Sequence, residues 1–172
     1  MKILAFDQAT TKTGYACLED KGKVICGLIN LGVKEFKKLD ADIKGRLTVK
    51  KISELIGELH PDIVIIEDVA LQKNAKVLIQ LSRIQGGIIG YCDSIGMPIA
   101  VMKPSQWRKI CLLTQGAGVK RSELKTEAKK FVESFFNLKV SSDEADAVCI
   151  AWAGYVEAKS LKNKEDKNNE KV

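Results

Sequence analysis

The sequence predicts an α/β fold, a mixed β-sheet with helices on its faces. Three short apolar runs follow one another at the N-terminus, which indicates consecutive strands. Segments with helical spacing of apolar residues then alternate with short continuous apolar runs, and the last part of the chain is mostly helical in pattern. With 172 residues and 45% hydrophobic residues, the chain is long enough to bury one core, and no repeat or internal linker interrupts it.

Five short apolar segments bounded by turn residues are predicted to be strands. They are 2–7, 11–20, 23–32, 62–67 and 97–101. The break at 8–10 and the turn at 21–23 join the first three. Residues 62–67 are apolar almost throughout, as in a strand whose two faces are both covered.

Helices are predicted at 40–59, 74–95 and 120–136, with a brief helix that Ser105 caps and that contains Trp107 and Cys111. A last helix is expected from Asp143 to about Ala158, capped by Ser141 or Ser142. His60-Pro61 ends the first helix, and His60, the one histidine, is expected to be a capping or surface residue. Three glycines in the second helix predict close approach by a helix of this chain or of a second subunit. They are Gly86, Gly87 and Gly90.

The division into domains follows from composition. Residues 1–158 are expected to form one domain, and the polar, mixed-charge segment 159–172 is expected to be a disordered tail. No apolar run is long enough to span a bilayer, and the N-terminus has no secretory pattern. The five cysteines are dispersed, which favours reduced core residues and a cytoplasmic location.

Positive charge is concentrated between residues 102 and 130. This stretch has eight basic and two acidic residues, and it includes the glycine-rich segment GAGVKR. Such a strip favours a polyanionic partner, since nucleic acid binding depends on cations near phosphates. The candidate DNA-binding residues are Lys103, Trp107, Arg108, Lys109, Lys120, Arg121 and Lys125. Trp107 could either stack on a base or belong to the core.

Four acids at the edges of apolar runs are the strongest functional signal. Asp7 and Glu67 each end a predicted strand, and Asp143 and Asp146 begin the last helix on one face. A charge beside a buried segment is costly unless it is paired or metal-bound. Mg²⁺ prefers hard oxygen ligands, so the four acids predict a site for two Mg²⁺ ions that cleaves phosphodiesters, with Mn²⁺ expected to substitute.

The motifs resemble those of RuvC-type Holliday-junction resolvases, within the RNase H-like nuclease superfamily. The similar segments are ILAFDQATTKTGYA, IVIIEDVALQKNA, KPSQWRK with GAGVKRSELK, and SSDEADAVCIAWA, together covering roughly residues 2 to 156. The resemblance implies a five-stranded mixed sheet flanked by helices on both faces. It implies a homodimer that nicks two symmetric strands of a four-way junction. Forks are expected as a further DNA partner. It makes Asp7, Glu67, Asp143 and Asp146 the catalytic metal ligands, and Lys120 and Lys125 phosphate contacts. The short Trp-Arg-Lys version looks closer to bacteriophage-type members.

One departure from that family concerns the segment after Glu67. The family has an aromatic residue there that acts on bases at the junction centre, whereas this chain has Ala70 with Leu71 beside it. Without a stacking ring we expect weaker sequence preference and broader tolerance of branched DNA. Comparing cleavage across junctions of different sequence tests this, and a tight consensus would count against it.

Two other functions remain open from the sequence. The segment Asp-Gln-Ala-Thr-Thr-Lys-Thr-Gly also resembles the phosphate loop of actin-like sugar kinases, although 172 residues are few for the two domains that such folds need. ATP binding would identify that class. A non-cleaving DNA-structure binder on the same fold is the second, and metal-dependent nicking would exclude it.

Overall fold

The computed structural model describes residues 1–20, 22–71, 74–114 and 118–169, apart from the side chains of residue 121 and residues 163–169. The strands are β1 (Lys2–Asp7), β2 (Lys12–Glu19), β3 (Val24–Asn30), β4 (Ile63–Glu67) and β5 (Ile99–Met102). The helices are α1 (Ala41–Leu59), α2 (Ala75–Ser94), α3 (Pro104–Ile110), α4 (Arg121–Phe136) and α5 (Ser142–Asn169).

The strands form one five-stranded mixed sheet in the order β3-β2-β1-β4-β5. The central strand β1 is antiparallel to β2, with Asp7 opposite Gly14, and parallel to β4, with Phe6 opposite Ile66. β2 and β3 are antiparallel, and β4 and β5 are parallel. The predicted α/β class and the mixed sheet are confirmed.

Helices cover both faces of this sheet. Ile3 and Ala5 pack with buried residues of α3, α4 and α5, whereas Leu4 and Phe6 pack with those of α1 and α2. This alternation is the two-residue period of a strand, and it directs the side chain of Asp7 toward the α5 face. Each fully buried aliphatic side chain stabilises the fold by about 1.5–3 kcal/mol. The site acids therefore lie at one end of a well-packed layer.

Local signals explain where the first helices begin and end. The Asp40 side chain accepts a hydrogen bond from the backbone of Ile43 at 2.8 Å, and His60 ends α1 in a left-handed conformation with φ 46°. The predicted cap at Ser105 is wrong. The N-cap is Lys103, so α3 begins two residues earlier than such a cap implies, at Pro104, whose missing N–H and fixed φ suit the first helical position.

The last helix is longer than predicted. Ser141 accepts from the Glu144 N–H at 3.4 Å, and the Glu144 carboxylate accepts from the Ser141 N–H at 2.9 Å, a reciprocal cap. α5 then runs to Asn169, so the expected end near Ala158 is wrong. No glycine or proline follows Gly154 to stop it. Residues 159–169 continue the helix where a disordered tail was expected. Residues 170–172 lie outside the described part, and the domain division at 158 stays a prediction.

The glycines of α2 separate into two groups. A Cβ on Gly87 would lie 2.9 Å from Val49 Cγ2, so this glycine permits close packing of α1 on α2. Cβ atoms on Gly86 and Gly90 would meet nothing within 4 Å. The approach expected from the sequence is thus confirmed for Gly87, within the same chain. None of the described helices is long and apolar enough to cross a membrane.

Candidate metal and nucleic-acid site

The four predicted acids come together at one edge of the sheet. Asp7 and Glu67 end the neighbouring parallel strands β1 and β4, and Asp143 and Asp146 lie in the first turns of α5. Their charges act on one another, since Glu67, Asp146 and Asp143 each raise the pKa of Asp7. The structure therefore brings together the acids that the sequence placed on separate elements.

Gly14 allows α5 to reach this edge. It lies opposite Asp7 in the β1–β2 ladder. A Cβ at Gly14 would overlap the backbone carbonyl of Asp143 and come within 3.1 Å of Glu144 N. Only a residue without a side chain permits this approach. The sequence showed Gly14 within a Thr-Gly-Tyr strand motif but did not reveal its role in packing.

Two side chains hold Glu67, and neither role was predicted. The Gln8 amide oxygen accepts from the Glu67 N–H at 3.1 Å, and the Gln8 amide nitrogen donates to the Glu67 carbonyl. The side chain of Gln8 thus continues the β1–β4 pairing past the end of β1. Trp107 Nε1 donates to Glu67 Oε1 at 2.9 Å. The sequence signals were a long amide directly after Asp7 and a tryptophan in a polar segment.

Two cations lie among the acids. Lys125 Nζ is 2.5 Å from Asp143 Oδ1 and 3.4 Å from Ser142 Oγ. Arg108 Nη2 is 3.9 Å from Asp146 Oδ1, and its guanidinium carbon lies 4.2 Å from the centre of the Trp107 ring. Both residues were predicted to bind DNA. The structure places them inside the acid cluster, where they offset part of its negative charge.

The cluster still has an excess of negative charge. Burial raises the pKa of Asp7 well above its usual value, and Glu67 and Asp146 raise it further against an opposing effect of Lys125. Burial also raises the pKa of Asp146 to about 6, although Arg108 and Lys125 lower it. Burial is the main cause of both shifts, and the nearby cations offset it only in part. A divalent ion would supply further positive charge.

This shift predicts how the metal-free protein responds to pH. The folded state holds the Asp146 proton more tightly than the unfolded chain, so the contribution of this group to stability is greatest below about pH 4 and is lost as pH rises through about 6. From pH 5 to 7.5 we expect a loss of about 1–2 kcal/mol in the free energy of unfolding. Urea unfolding in EDTA measures it. Asp146→Asn should show a smaller pH slope, and an equal slope would contradict the assignment.

The donor set fits a hard divalent cation. Asp146 Oδ1 is buried without a hydrogen-bond partner among the described residues, as is Arg108 Nη1. A buried carboxylate oxygen of this kind suits metal binding, because an unsatisfied polar atom is otherwise costly. As they stand, no three acidic, histidine or cysteine side chains in the described ranges converge closely enough to hold an ion. Lys125 and Arg108 occupy positions beside Asp143 and Asp146 instead.

The predicted DNA-binding residues fall into three groups. Lys103, Lys109 and Lys120 are exposed, while Arg108 and Lys125 lie in the acid cluster. The Arg121 side chain and residues 115–117, part of the glycine-rich segment, lie outside the described part. Trp107 is fully buried, so the predicted base contact is corrected in favour of the core alternative. Its ring has no face open to a base.

The segment after Glu67 carries apolar rather than aromatic side chains. Ala70 is exposed, and Leu71 is 88% exposed. Residues 72–73 lie outside the described part. The prediction of broad sequence tolerance stays a prediction.

Known proteins resemble this chain over nearly its whole length. The family model "Crossover junction endodeoxyribonuclease RuvC" matches residues 3–153. A relative of that name from Trichlorobacter lovleyi is 28% identical over 153 residues, covering 88% of this chain and 83% of its own. Another from Carboxydothermus hydrogenoformans is 26% identical, covering 94% of this chain and 99% of its own.

Two solved structures have a similar fold. The structure of T. thermophilus RuvC in complex with a Holliday junction substrate matches with a TM-score of 0.73 at 16% identity, over 93% of this chain and 96% of that one. The fowlpox virus resolvase, in complex with substrate Holliday junction DNA, matches with a TM-score of 0.59 at 16% identity, over 92% and 98%. At such identity the likeness shows the fold.

Proposed function

This chain belongs to the RuvC family of crossover junction endodeoxyribonucleases, and we propose that it resolves four-way DNA junctions by paired, metal-dependent nicks. The observation that carries the proposal is the acid cluster, in which Asp7, Glu67 and Asp146 share one edge of the sheet with two basic side chains. A group of acids with excess negative charge suits metal binding, and a basic strip suits binding of a polyanion. Together they suit a metal-dependent reaction on a polyanionic substrate. Action on forks belongs to the same proposal.

We propose that the four carboxylates hold two Mg²⁺ ions, with Mn²⁺ accepted. The donors are oxygen atoms, as Mg²⁺ requires. Bound Mg²⁺ would supply Lewis-acid stabilisation of the phosphate and lower the pKa of water. Asp143 can serve as a ligand once Lys125 leaves its Oδ1. Lys125 Nζ, thus released, can contact the phosphate beside the ions, and Arg108 keeps its charge next to Asp146.

The expected chemistry is hydrolysis at phosphorus. Water adds to the phosphorus as the bond to the 3′ oxygen breaks, and that oxygen takes up a proton. The products are 5′-phosphate and 3′-hydroxyl ends. The carboxylates would hold the metal ions in place. Burial at this end of the strands limits the motion of the carboxylates, which helps to align the reacting groups.

A cleavage assay tests this function. Purified protein is incubated with a synthetic four-way junction, a fork and a linear duplex, with Mg²⁺ or with EDTA. We expect paired nicks in the junction with Mg²⁺ and intact linear duplex throughout. Junction binding without nicking would favour the non-cleaving binder. The family match does not favour the actin-like alternative, and tight ATP binding would revive it.

The proposed DNA surface comprises basic residues of the stretch between 102 and 130. They are Lys103, Arg108, Lys109, Lys120, Arg121 and Lys125. The exposed members lie where phosphates can reach them without rearrangement. Their contribution is electrostatic, and it should depend on salt.

Lys120→Ala should weaken junction binding and reduce the dependence of log Kd on log salt by about one unit. Lys120 is the N-cap of α4, the helix that also carries Lys125. Binding is measured by fluorescence anisotropy at several salt concentrations. Lys50→Ala is the matched control, because Lys50 is an exposed lysine of α1 on the other face of the sheet. An equal effect of both variants would argue for general charge alone.

We further propose that the chain forms a homodimer through the outer face of α2. Ile79 is 50% exposed, and Gly86 and Gly90 leave open space on the same side of the helix. Such a face permits close helix packing, and two sites in one dimer would explain paired nicks. A monomeric mass by light scattering at micromolar concentration would contradict it. The proposed place of action is the cytoplasm, and a bacteriophage origin stays a prediction.

A further inference from the structure

We propose that Trp107 is a positioning residue that holds the Glu67 carboxylate in the orientation needed for metal binding. This inference rests on the proposed metal site. It concerns a residue of α3 that has no contact with DNA, because its ring is completely buried.

The hydrogen bond itself is the first argument. Trp107 Nε1 lies 2.9 Å from Glu67 Oε1. An indole has one donor and no acceptor, so a buried tryptophan needs one acceptor in one place. Here the acceptor is a carboxylate, and bonds to ionised acceptors are among the stronger ones. The ring therefore has a directional interaction in addition to its packing.

The rigidity of the ring is the second argument. Trp107 has no exposed surface, and the Arg108 guanidinium lies 4.2 Å from its ring centre. Further along, Cys111 Sγ donates to the Cys149 carbonyl at 3.5 Å and ties the end of α3 to α5. A donor held this way restricts the carboxylate that it binds. Metal-ligating carboxylates typically have such outer hydrogen bonds, which orient them.

The place of α3 between two ligands is the third argument. Trp107 binds Glu67 at the end of β4, and the next residue, Arg108, lies beside Asp146 of α5. Gln8 already holds the backbone of Glu67 with two hydrogen bonds. The backbone is thus fixed from β1 and the side chain from α3. Trp107 thus orients the Glu67 side chain, whereas Gln8 holds only the backbone of Glu67.

Two Trp→Phe variants separate positioning from packing. Trp107→Phe keeps most of the ring but loses the N–H. Trp152→Phe makes the same change in an aromatic cluster with Phe135, Phe136 and Tyr155, so it is the matched control. Trp107 is then the only tryptophan left in the control protein, since the chain has two. Its fluorescence therefore reports on the surroundings of this indole alone, which include Glu67 Oε1.

The first measurement titrates Ca²⁺ into Trp152→Phe protein without DNA. We expect a saturable change in Trp107 emission, and we expect Glu67→Gln in the same background to remove it. The second measures the Mg²⁺ concentration for half-maximal junction cleavage. For Trp107→Phe this concentration should rise about 10- to 100-fold, with cleavage largely recovered at saturating Mg²⁺. For Trp152→Phe it should stay unchanged.

The outcomes are distinct. A Trp107→Phe protein with the same half-maximal Mg²⁺ as the control shows that Trp107 only packs, and overturns the inference. Absence of both cleavage and any metal effect in the parent protein instead overturns the proposed function. If Trp107→Phe does not fold, Trp107 can be replaced biosynthetically by benzothienylalanine in the Trp152→Phe protein, where it is the single tryptophan. This replacement keeps the ring volume and removes only the N–H. The same rise in half-maximal Mg²⁺ then supports the inference, and no rise rejects it.

Discussion

Glu67→Gln should reduce junction cleavage by about a thousand-fold or more while junction binding stays nearly unchanged. Such a loss corresponds to about 4 kcal/mol in the barrier. Glutamine keeps the oxygen that accepts from Trp107 Nε1, so the local hydrogen bond can persist. It removes a charge that a divalent ion needs, which is why the loss should appear in catalysis. Single-turnover cleavage and anisotropy with the same junction measure the two effects.

Stability provides an independent check on this variant. Glu67 raises the pKa of Asp7, so its charge is unfavourable in the metal-free fold. Glu67→Gln should unfold at the same or a higher urea concentration than the parent in EDTA. Loss of cleavage through misfolding would show the opposite change.

Asp68→Asn is the matched control for Glu67→Gln. It removes the neighbouring carboxylate, and Asp68 is not among the groups that raise the pKa of Asp7. Its N–H donates to the Met102 carbonyl at 2.8 Å, so strand geometry continues and directs its side chain away from the cluster. Cleavage should remain near the parent rate. Normal cleavage by Glu67→Gln would remove Glu67 from the reaction and refute the proposed role.

The sequence was sufficient to predict the sheet and the meeting of the acids, because both depend on strong local signals. Apolar runs marked β1 and β4, and the ends of parallel neighbouring strands lie at one edge. The signals that mark the ends of helices and strands are weaker, and some predicted ends were wrong. β5 was predicted at 97–101 and is found at Ile99–Met102, since the Met97 N–H donates to the Cys92 carbonyl and pairing begins only after it.

Contacts between distant segments were beyond the sequence. The hydrogen bond from Trp107 joins residues 40 positions apart, and those from Gln8 join residues 59 apart. No periodicity reports such a distance. Arg108 and Lys125 were predicted to bind DNA on the basis of charge alone, and that role stays a prediction. Their place among the acids depends on how α3 and α4 pack on α5, which only the fold determines.

Lys125 and Arg108 partly compensate the charge of the acid cluster in the absence of a metal ion. Lys125 pairs with Asp143 and Arg108 lies beside Asp146, so part of the acid repulsion is offset before any ion arrives. Burial keeps the pKa of Asp146 raised to about 6 despite both cations, so charging this carboxyl group remains unfavourable. In the proposed mechanism, a bound metal ion would replace this weak internal compensation by a stronger one. It also releases Lys125 toward the phosphate, which couples ion binding to DNA contact in the proposed mechanism.

Gly14→Ala should reduce cleavage by about a hundred-fold and destabilise the fold by about 1–3 kcal/mol. The added methyl would overlap the Asp143 carbonyl, so β2 and the start of α5 must separate. Asp143 and Asp146 would then shift away from Asp7, and small displacements of reacting groups have large effects on rate. Single-turnover cleavage and urea unfolding measure the two effects.

Gly57→Ala is the matched control for this variant. Gly57 lies within α1, where a Cβ meets nothing within 4 Å. Alanine there should stabilise the fold by about 0.5–1 kcal/mol, because it favours helix over the unfolded chain. Cleavage should stay at the parent rate. If Gly14→Ala also cleaved at that rate, catalysis would tolerate displacement of the first turn of α5. The close approach at Gly14 would then not set the distance between Asp7 and the acids of α5.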